Sequence, residues 1–163
     1  MASATNELKI CKQGSSFVVF CNGRKVGSFT DSKYSSGDIA MFLPKNTAAV
    51  FDDIKVTDTF DTLSSVNACF SDDFNSNAEM FGWATLSDEA EVKVADGKLH
   101  LTTGKYAYVF TDISLEEFTM RVDVSFVSGS KNSMYGLFIK GDGSPIPMSG
   151  FIITGNRSFG VFA

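Results

Sequence analysis

Apolar and polar residues alternate with a two-residue period along most of this chain, which is the pattern of β-strands with one buried face. The clearest example is segment 118–126, where Phe118, Met120, Val122, Val124 and Phe126 alternate with more polar residues. Further strands are predicted at about 7–12, 15–21, 24–30, 38–43, 48–56, 91–95, 98–103, 105–111, 134–140, 149–154 and 157–162. Many short strands in succession predict an all-β sandwich or barrel.

Turn sequences separate these strands at short intervals. Asn22-Gly23 is the strongest hairpin signal, because both central residues of such a turn adopt positive φ angles. A second hairpin is expected near Gln13-Gly14, and Asp96-Gly97 marks another turn. Only segments 87–91 and 114–117 show a weak helical pattern, of one turn at most.

Length and composition narrow the class of protein. A chain of 163 residues predicts one domain, 1–163, with a sizeable core, and its sixteen phenylalanines favour pleated sheets over helices. The net charge of −5 argues against a nucleic-acid partner, which requires a basic face. No apolar run reaches the length of a membrane span, and residues 1–6 have no apolar signal core. Either the chain is cytosolic, or a secretion signal is missing from it.

The three cysteines are an odd number, so at least one of them is not paired within the chain. If the first hairpin turns at Gln13-Gly14, Cys11 lies opposite Ser16, five residues before Cys21. Five residues of strand span roughly 16 Å, whereas a disulfide needs Cα atoms within about 7 Å. A bridge between Cys11 and Cys21 is therefore not expected.

Two groups of motifs resemble the halves of concanavalin A-like, laminin G-like jelly rolls. The closing half resembles the segment from Phe17-Val18-Val19-Phe20-Cys21-Asn22-Gly23 through Gly37-Asp38-Ile39 to Phe51-Asp52-Asp53-Ile54-Lys55-Val56. The opening half resembles Phe70-Ser71-Asp72-Asp73-Phe74 with Trp83, Asp96-Gly97-Lys98-Leu99-His100-Leu101 and Tyr135-Gly136-Leu137-Phe138-Ile139. The resemblance implies a two-sheet antiparallel jelly-roll sandwich, with its halves in the wrong order.

Three interpretations of this order remain open. In the first, residues 1–60 and 70–163 are the closing and opening halves of one circularly permuted domain, joined by a packed connector at 57–69. In the second, two chains swap halves in a homodimer. In the third, the chain crosses the boundary of two tandem sandwiches, which would leave open sheet edges.

The sequence offers little evidence of catalysis. His100, the single histidine, alternates with Leu99 and Leu101 and is expected on the solvent side of a strand. Hydrolases of the sandwich superfamily carry paired carboxylates on one strand face, and no such pattern occurs here. Nucleophile-elbow and phosphate-loop motifs are also absent from the sequence. We therefore expect a protein that is not an enzyme.

The aspartates of the two boundary motifs suggest a structural calcium ion, since hard cations bind several oxygen ligands. In the permuted fold, Asp52-Asp53 and Asp72-Asp73 would be neighbours. Alternation allows only one aspartate of each pair to enter a common site, unless a β-bulge intervenes, and we expect Asp53 and Asp73 there. An equally simple interpretation is that these aspartates cap turns or face solvent.

The resemblance also implies glycan binding, in which aromatic rings stack against sugars and polar groups contact the hydroxyls. The expected ligand-binding residues are Tyr106, Tyr108, Tyr34, Trp83, Asn156 and Arg157, with Asn132 and Asp142 as further polar candidates. Tyr106 and Tyr108 share one face of a strand and form the most plausible platform. Any of these rings could instead belong to the core.

The expected function is non-catalytic polysaccharide binding, as a module of a secreted carbohydrate-active protein. The alternatives are a structural or adhesion module that binds protein or acts as a spacer, and a degenerate hydrolase-like domain.

Overall fold

The computed structural model describes residues 4–32, 36–58, 70–75, 83–86, 89–140, 149–156 and 158–162. These residues form an antiparallel two-sheet β-sandwich, which confirms the predicted all-β class. Within these ranges there is no helix, and so none that is long and apolar enough to span a membrane. The helical prediction at 114–117 is wrong: the strand continues to Ser114, and a bend follows it.

The strands are β1 Asn6–Gln13, β2 Ser16–Cys21, β3 Arg24–Thr30, β4 Asp38–Leu43, β5 Thr47–Thr57, β6 Phe70–Asp72, β7 Trp83–Leu86, β8 Ala90–Ala95, β9 Lys98–Thr103, β10 Ala107–Ser114, β11 Phe118–Ser128, β12 Met134–Lys140, β13 Ser149–Thr154 and β14 Phe159–Phe162. The eight-stranded sheet has the order β3-β2-β1-β11-β5-β9-β8, with β6 also paired to β5. The six-stranded sheet has the order β14-β13-β12-β4-β10-β7. Strands from the first and second halves of the chain are therefore mixed in both sheets.

The hairpins follow the turn residues read from the sequence. Asn22 and Gly23 have φ angles of 50° and 73°, and Asp96 and Gly97 have 53° and 68°. Both pairs thus adopt the left-handed conformations that a two-residue hairpin turn requires.

The first hairpin turns at residues 14 and 15, so Cys11 lies opposite Val18 and not opposite Ser16 as expected. Three residues separate Val18 from Cys21, which is still roughly 10 Å along the strand. In agreement with the prediction, Cys11 and Cys21 form no disulfide with each other.

The core lies between the two sheets and is built by alternation. On β11, Phe118, Val122 and Val124 are fully buried and face the other sheet. Phe126 continues this face and stacks on Tyr135 of β12, with ring centroids 5.7 Å apart. Since β11 and β12 belong to different sheets, this ring pair ties the two layers together.

The closing and opening motifs pair directly with each other. Ile54 lies opposite Asp72, and Val56 lies opposite Phe70, in an antiparallel ladder between β5 and β6. On the same side of β5, its earlier residues pair with β9, where Phe51 lies opposite Leu99. The two aspartate-bearing segments are therefore neighbours at the junction of β5, β6 and β9.

Candidate functional site

The outer face of the six-stranded sheet carries a second apolar cluster, separate from the core. On β4, Ile39, Met41 and Leu43 point into the sandwich, whereas Ala40 and Phe42 point outward. Phe110 of β10, Phe138 of β12 and Ile152 of β13 join them on the outer face. These strands therefore carry apolar residues on both faces, although only the inner face contributes to the core between the sheets.

Aromatic rings form a continuous row across this outer face. Tyr106 and Tyr108 have ring centroids 5.6 Å apart at an interplanar angle of 57°. Tyr108 stacks on Phe42 at 4.9 Å, and Phe42 contacts Phe138 edge-on at 5.1 Å. Such stacked and edge-on arrangements are the favoured geometries for aromatic pairs, so the row is a packed unit that spans three strands.

The two tyrosines of the predicted platform have different environments. Tyr106 is 51% exposed, whereas Tyr108 is only 9% exposed. Burial, with a smaller contribution from Tyr106, raises the pKa of the Tyr108 hydroxyl above its ordinary value. The ring of Tyr106 is therefore accessible to a ligand, whereas Tyr108 is covered and packs against Tyr106.

The half-exposed ring of Tyr106 shares its end of the sheet with a polar and an apolar side chain. Lys105 next to it forms an ion pair with Glu89, with Nζ and Oε1 2.7 Å apart. Across the sheet, Met134 is 47% exposed and pairs with Thr154. Ala107, the residue after Tyr106, pairs with Leu43 of β4. Gly136, two residues after Met134, pairs with Phe42 of the same strand. Tyr106 and Met134 therefore flank the same end of β4, two strands or roughly 10 Å apart.

Asn156 lies beyond the end of β13, toward the same end of the sheet, and is held by a hydrogen-bond network. Its backbone N–H donates to the Lys131 carbonyl at 2.9 Å, and its side-chain amide donates to Asn132 Oδ1 at 3.1 Å. Its Oδ1 accepts hydrogen bonds from the Thr154 hydroxyl and the Ser158 N–H. These contacts join two turns, so Asn156 and Asn132 fix the shape of this end of the sandwich.

The remaining predicted ligand residues lie wholly or partly outside the described residues. Tyr34, Arg157 and Asp142 are not among them. The backbone of Trp83 belongs to β7 and pairs with Thr111 of β10, but its side chain is not described. Whether these residues join Tyr106 stays a prediction.

A β-bulge in β5 decides where the aspartates point. Asp52 lies opposite Asp123 and Lys55 lies opposite Arg121, so Asp53 and Ile54 together oppose a single residue of β11. Asp53 has a φ angle of 48°, the left-handed conformation found in such bulges. Ile54 consequently turns into the core, and Asp53 stays exposed beside Asp52.

The bulge brings the predicted metal ligands to one pocket. Asp53 and Asp73 both line a surface pocket of about 350 Å³, together with Ile54, Lys55, Ser71, Asp72 and Arg121. Asp52 is engaged elsewhere, in an ion pair with Lys98. Hydrogen bonds from the side chain and backbone of Asn75 lower the pKa of Asp73, so its carboxylate is held as an acceptor.

The pocket does not show a complete set of metal ligands. Within the described part of the chain, no group of three or more His, Cys, Asp or Glu residues could hold a metal ion. The lining carries the three aspartates Asp53, Asp72 and Asp73 against the two cations Lys55 and Arg121, so the charged side chains leave a small negative balance. Calcium at Asp53 and Asp73 therefore stays a prediction.

His100 lies where the alternation placed it. Leu99 and Leu101 are fully buried, and His100 is on the opposite, outer side of β9. Its Nε2 is 3.1 Å from the carbonyl oxygen of Ala95, a local contact within the β8–β9 hairpin.

Phe42, Phe110 and Phe138 were not among the residues predicted for a ligand face, and the structure places them on the outer face. The signal was present in segment 39–43, where every residue is apolar. Such a run is typical of a strand with both faces covered.

No protein-family model matches this chain, and no curated protein matches its sequence.

Proposed function

We propose that this protein is a non-catalytic glycan-binding module, and that the Tyr106 end of the outer face of the six-stranded sheet is its binding site. The supporting observation is the half-exposed Tyr106 ring beside a packed aromatic row that the core between the sheets does not require. A flat ring that is fixed from behind can stack on the apolar face of a sugar with little loss of conformational entropy.

The neighbouring groups fit this proposal. Lys105 lies next to Tyr106 in the chain and is paired with Glu89; both charged side chains are exposed and can contact sugar hydroxyls. The outer face offers a path from Tyr106 across β4 and β12 toward Asn156, which suits an extended polysaccharide more than a small molecule. The module would then belong to a secreted carbohydrate-active protein.

We further propose that the fold is a circularly permuted jelly roll of the concanavalin A-like type. This part of the proposal is supported by the direct pairing of β5 with β6. In a permuted domain, the last strand and the first strand of the parent order are expected to be neighbours.

The experiment is affinity electrophoresis through gels that contain β-glucan, xylan or mannan. We expect at least one polysaccharide to retard the wild-type protein, and Tyr106→Ala to weaken that retardation about tenfold, or about 1.4 kcal/mol. The matched control is Phe20→Ala, which removes a partly exposed ring from the outer face of the other sheet, where Lys9 lies over it. Tyr106→Phe, which keeps the ring, should retain most of the binding.

Two results would contradict the proposal. One is the absence of retardation by every polysaccharide, which would favour the structural or adhesion module. The other is equal weakening by Tyr106→Ala and Phe20→Ala, which would show that the Tyr106 face is not the site.

Calcium at the pocket of Asp53 and Asp73 is a second, separate proposal, supported by the bulge that brings both carboxylates to one cavity. The melting temperature should rise in millimolar calcium relative to chelator, because a ligand that binds only the native state stabilises it. Asp53→Asn should abolish this rise, and Glu91→Gln on the exposed face of β8 should not. An unchanged melting temperature would remove calcium from the description of this protein.

A further inference from the structure

Two strands at the sheet edges, β7 and the last strand, β14, carry no charged residue. Of these two, β14 is the one whose exposed apolar side chains the structure describes. At the edges of the eight-stranded sheet, β3 has the exposed cations Arg24 and Lys25 together with a bulge, and β8 has the exposed Glu91 and Lys93. Charges and bulges are the usual means by which proteins prevent the edge of a sheet from pairing with another chain. Among the described strands, β14 pairs with β13 alone, and its other edge has neither protection.

The side chains of β14 also remain incompletely covered. Phe159 and Val161 pair with Ile153 and Phe151, which are both 1% exposed and belong to the core. Phe159 and Val161 point to the same side, yet they are 50% and 40% exposed. The sheet therefore presents an apolar inner margin beside an edge of β14 that no other described strand pairs with.

The phase of the β13–β14 ladder shows which backbone groups face that edge. The Thr154 N–H donates to the Ser158 carbonyl at 2.8 Å, so this pair is hydrogen-bonded. Bonded and non-bonded pairs alternate along an antiparallel ladder, which makes Gly160 a bonded residue directed toward β13. The N–H and C=O groups of Phe159 and Val161 consequently point away from the sheet.

From these observations we infer that β14 pairs with β14 of a second copy of this chain, antiparallel and centred on Gly160. In this register Phe159 of each copy lies opposite Val161 of the other copy. Each of these two pairs forms two hydrogen bonds, made by the backbone N–H and C=O groups that point away from the sheet in a single copy. Side chains that lie opposite each other are on the same face, so the four half-exposed residues cover one another. Because the strand is neutral, no like charges meet across the two-fold axis, as they would at β3.

The strength of this association follows from its size. The exposed parts of the Phe159 and Val161 side chains amount to on the order of 150 Å² of apolar surface per copy. This is well below the roughly 800 Å² per partner of a stable interface, so the dimer should be weak and concentration-dependent. The net charge of −5 on each chain adds long-range repulsion, which about 0.15 M salt largely screens.

Such a dimer would place the outer faces of both six-stranded sheets on the same side of one continuous sheet. If the proposed glycan site is correct, two Tyr106 faces would then act on one polysaccharide and gain avidity. The association itself does not depend on that function.

Sedimentation equilibrium of the 163-residue chain between about 10 μM and 1 mM is the first test. We expect the average mass to rise toward that of a dimer at the upper concentrations. Val161→Lys, which places a charge at the edge, should keep the protein monomeric. Val127→Lys is the matched control, since Val127 is also exposed but lies at the end of β11, and it should behave as the wild type. A wild-type mass that stays monomeric at 1 mM would overturn the proposal.

The register is tested by Gly160→Cys under oxidising conditions, in a variant whose third cysteine, Cys69, is replaced by serine. A Cβ at Gly160 meets only Ile152, at 3.6 Å, so the substitution fits without strain. In the proposed register, the two Gly160 residues form a non-bonded pair with Cα atoms about 4.5 Å apart, within the range of a disulfide. We expect a covalent dimer from Gly160→Cys and none from Val127→Cys. Two results would overturn this pairing. One is a dimer that Gly160→Cys does not cross-link, which an exchange of halves between chains would give. The other is a cross-link formed by Val161→Cys and not by Gly160→Cys.

Discussion

The two outer faces of the sandwich differ in what covers them. On the eight-stranded sheet the face is charged: Arg121 lies 3.5 Å from Glu7, and Lys9 lies over the ring of Phe20. On the six-stranded sheet the corresponding face holds the row of Tyr108, Phe42 and Phe138. Tyr108 and Phe138 of this row are only 9% and 6% exposed, whereas Tyr106 at its end is 51% exposed, so a ligand is to be sought at the Tyr106 end.

The largest expected effect concerns the packing of the aromatic face. Phe138 is only 6% exposed, so Phe138→Ala should lower the free energy of unfolding by about 4 kcal/mol, as for a core phenylalanine. Lys93→Ala on the exposed face of β8 should change it by less than about 0.5 kcal/mol. Urea unfolding followed by circular dichroism measures both values. Equal, small losses would show that the two faces do not differ in packing.

Alkaline pH should lower the stability through the six-stranded sheet, which holds Tyr108 and Tyr135. Burial raises the pKa of Tyr135 from 10 to about 12. The neutral hydroxyl is therefore favoured by folding, and this contribution is complete below pH 10 and is lost as the pH rises toward 12. Two pKa units correspond to about 3 kcal/mol. Unfolding curves at pH 9 to 12 should show this loss in the wild type and a smaller one in Tyr135→Phe.

On the charged face, removal of one ion pair should matter much less. Lys98 and Asp52 pair at the surface, and such pairs contribute about 0.2–1 kcal/mol. Lys98→Met should therefore lower the free energy of unfolding by roughly 0.5 kcal/mol, and salt should reduce the difference further. A loss as large as that of Phe138→Ala would reverse the comparison between the faces.

The smallest effect should have the opposite sign. Burial first, and then Asp53 and Glu7, raise the pKa of Asp123, so folding disfavours its charge at neutral pH. Asp123→Asn should leave the stability unchanged or raise it by a few tenths of a kcal/mol at pH 7. The gain should vanish below the ordinary pKa of 3.8, where the carboxyl is protonated in both states. Destabilisation at pH 7 would show that the Asp123 charge is stabilising.

The candidate site was only partly predictable from sequence. Tyr106 and Tyr108 were placed on one strand face, because their spacing of two residues determines it. Their unequal exposure was not predictable, because Phe42 covers Tyr108 from β4, which is distant in the chain. The bulge at Asp53 also escaped prediction, since its partners Arg121 and Asp123 are supplied by another strand.

By itself, the sequence determined the strands, the hairpin turns and the all-β class. These depend on local periodicity and on residues such as Asn22 and Gly23, whose backbone preferences act within a few positions. Tertiary structure alone decided which strands became neighbours, which face of an all-apolar strand such as β4 entered the core, and which of the described strands lie at the sheet edges. Those outcomes depend on partners far apart in the chain, and alternation along one strand carries no information about them.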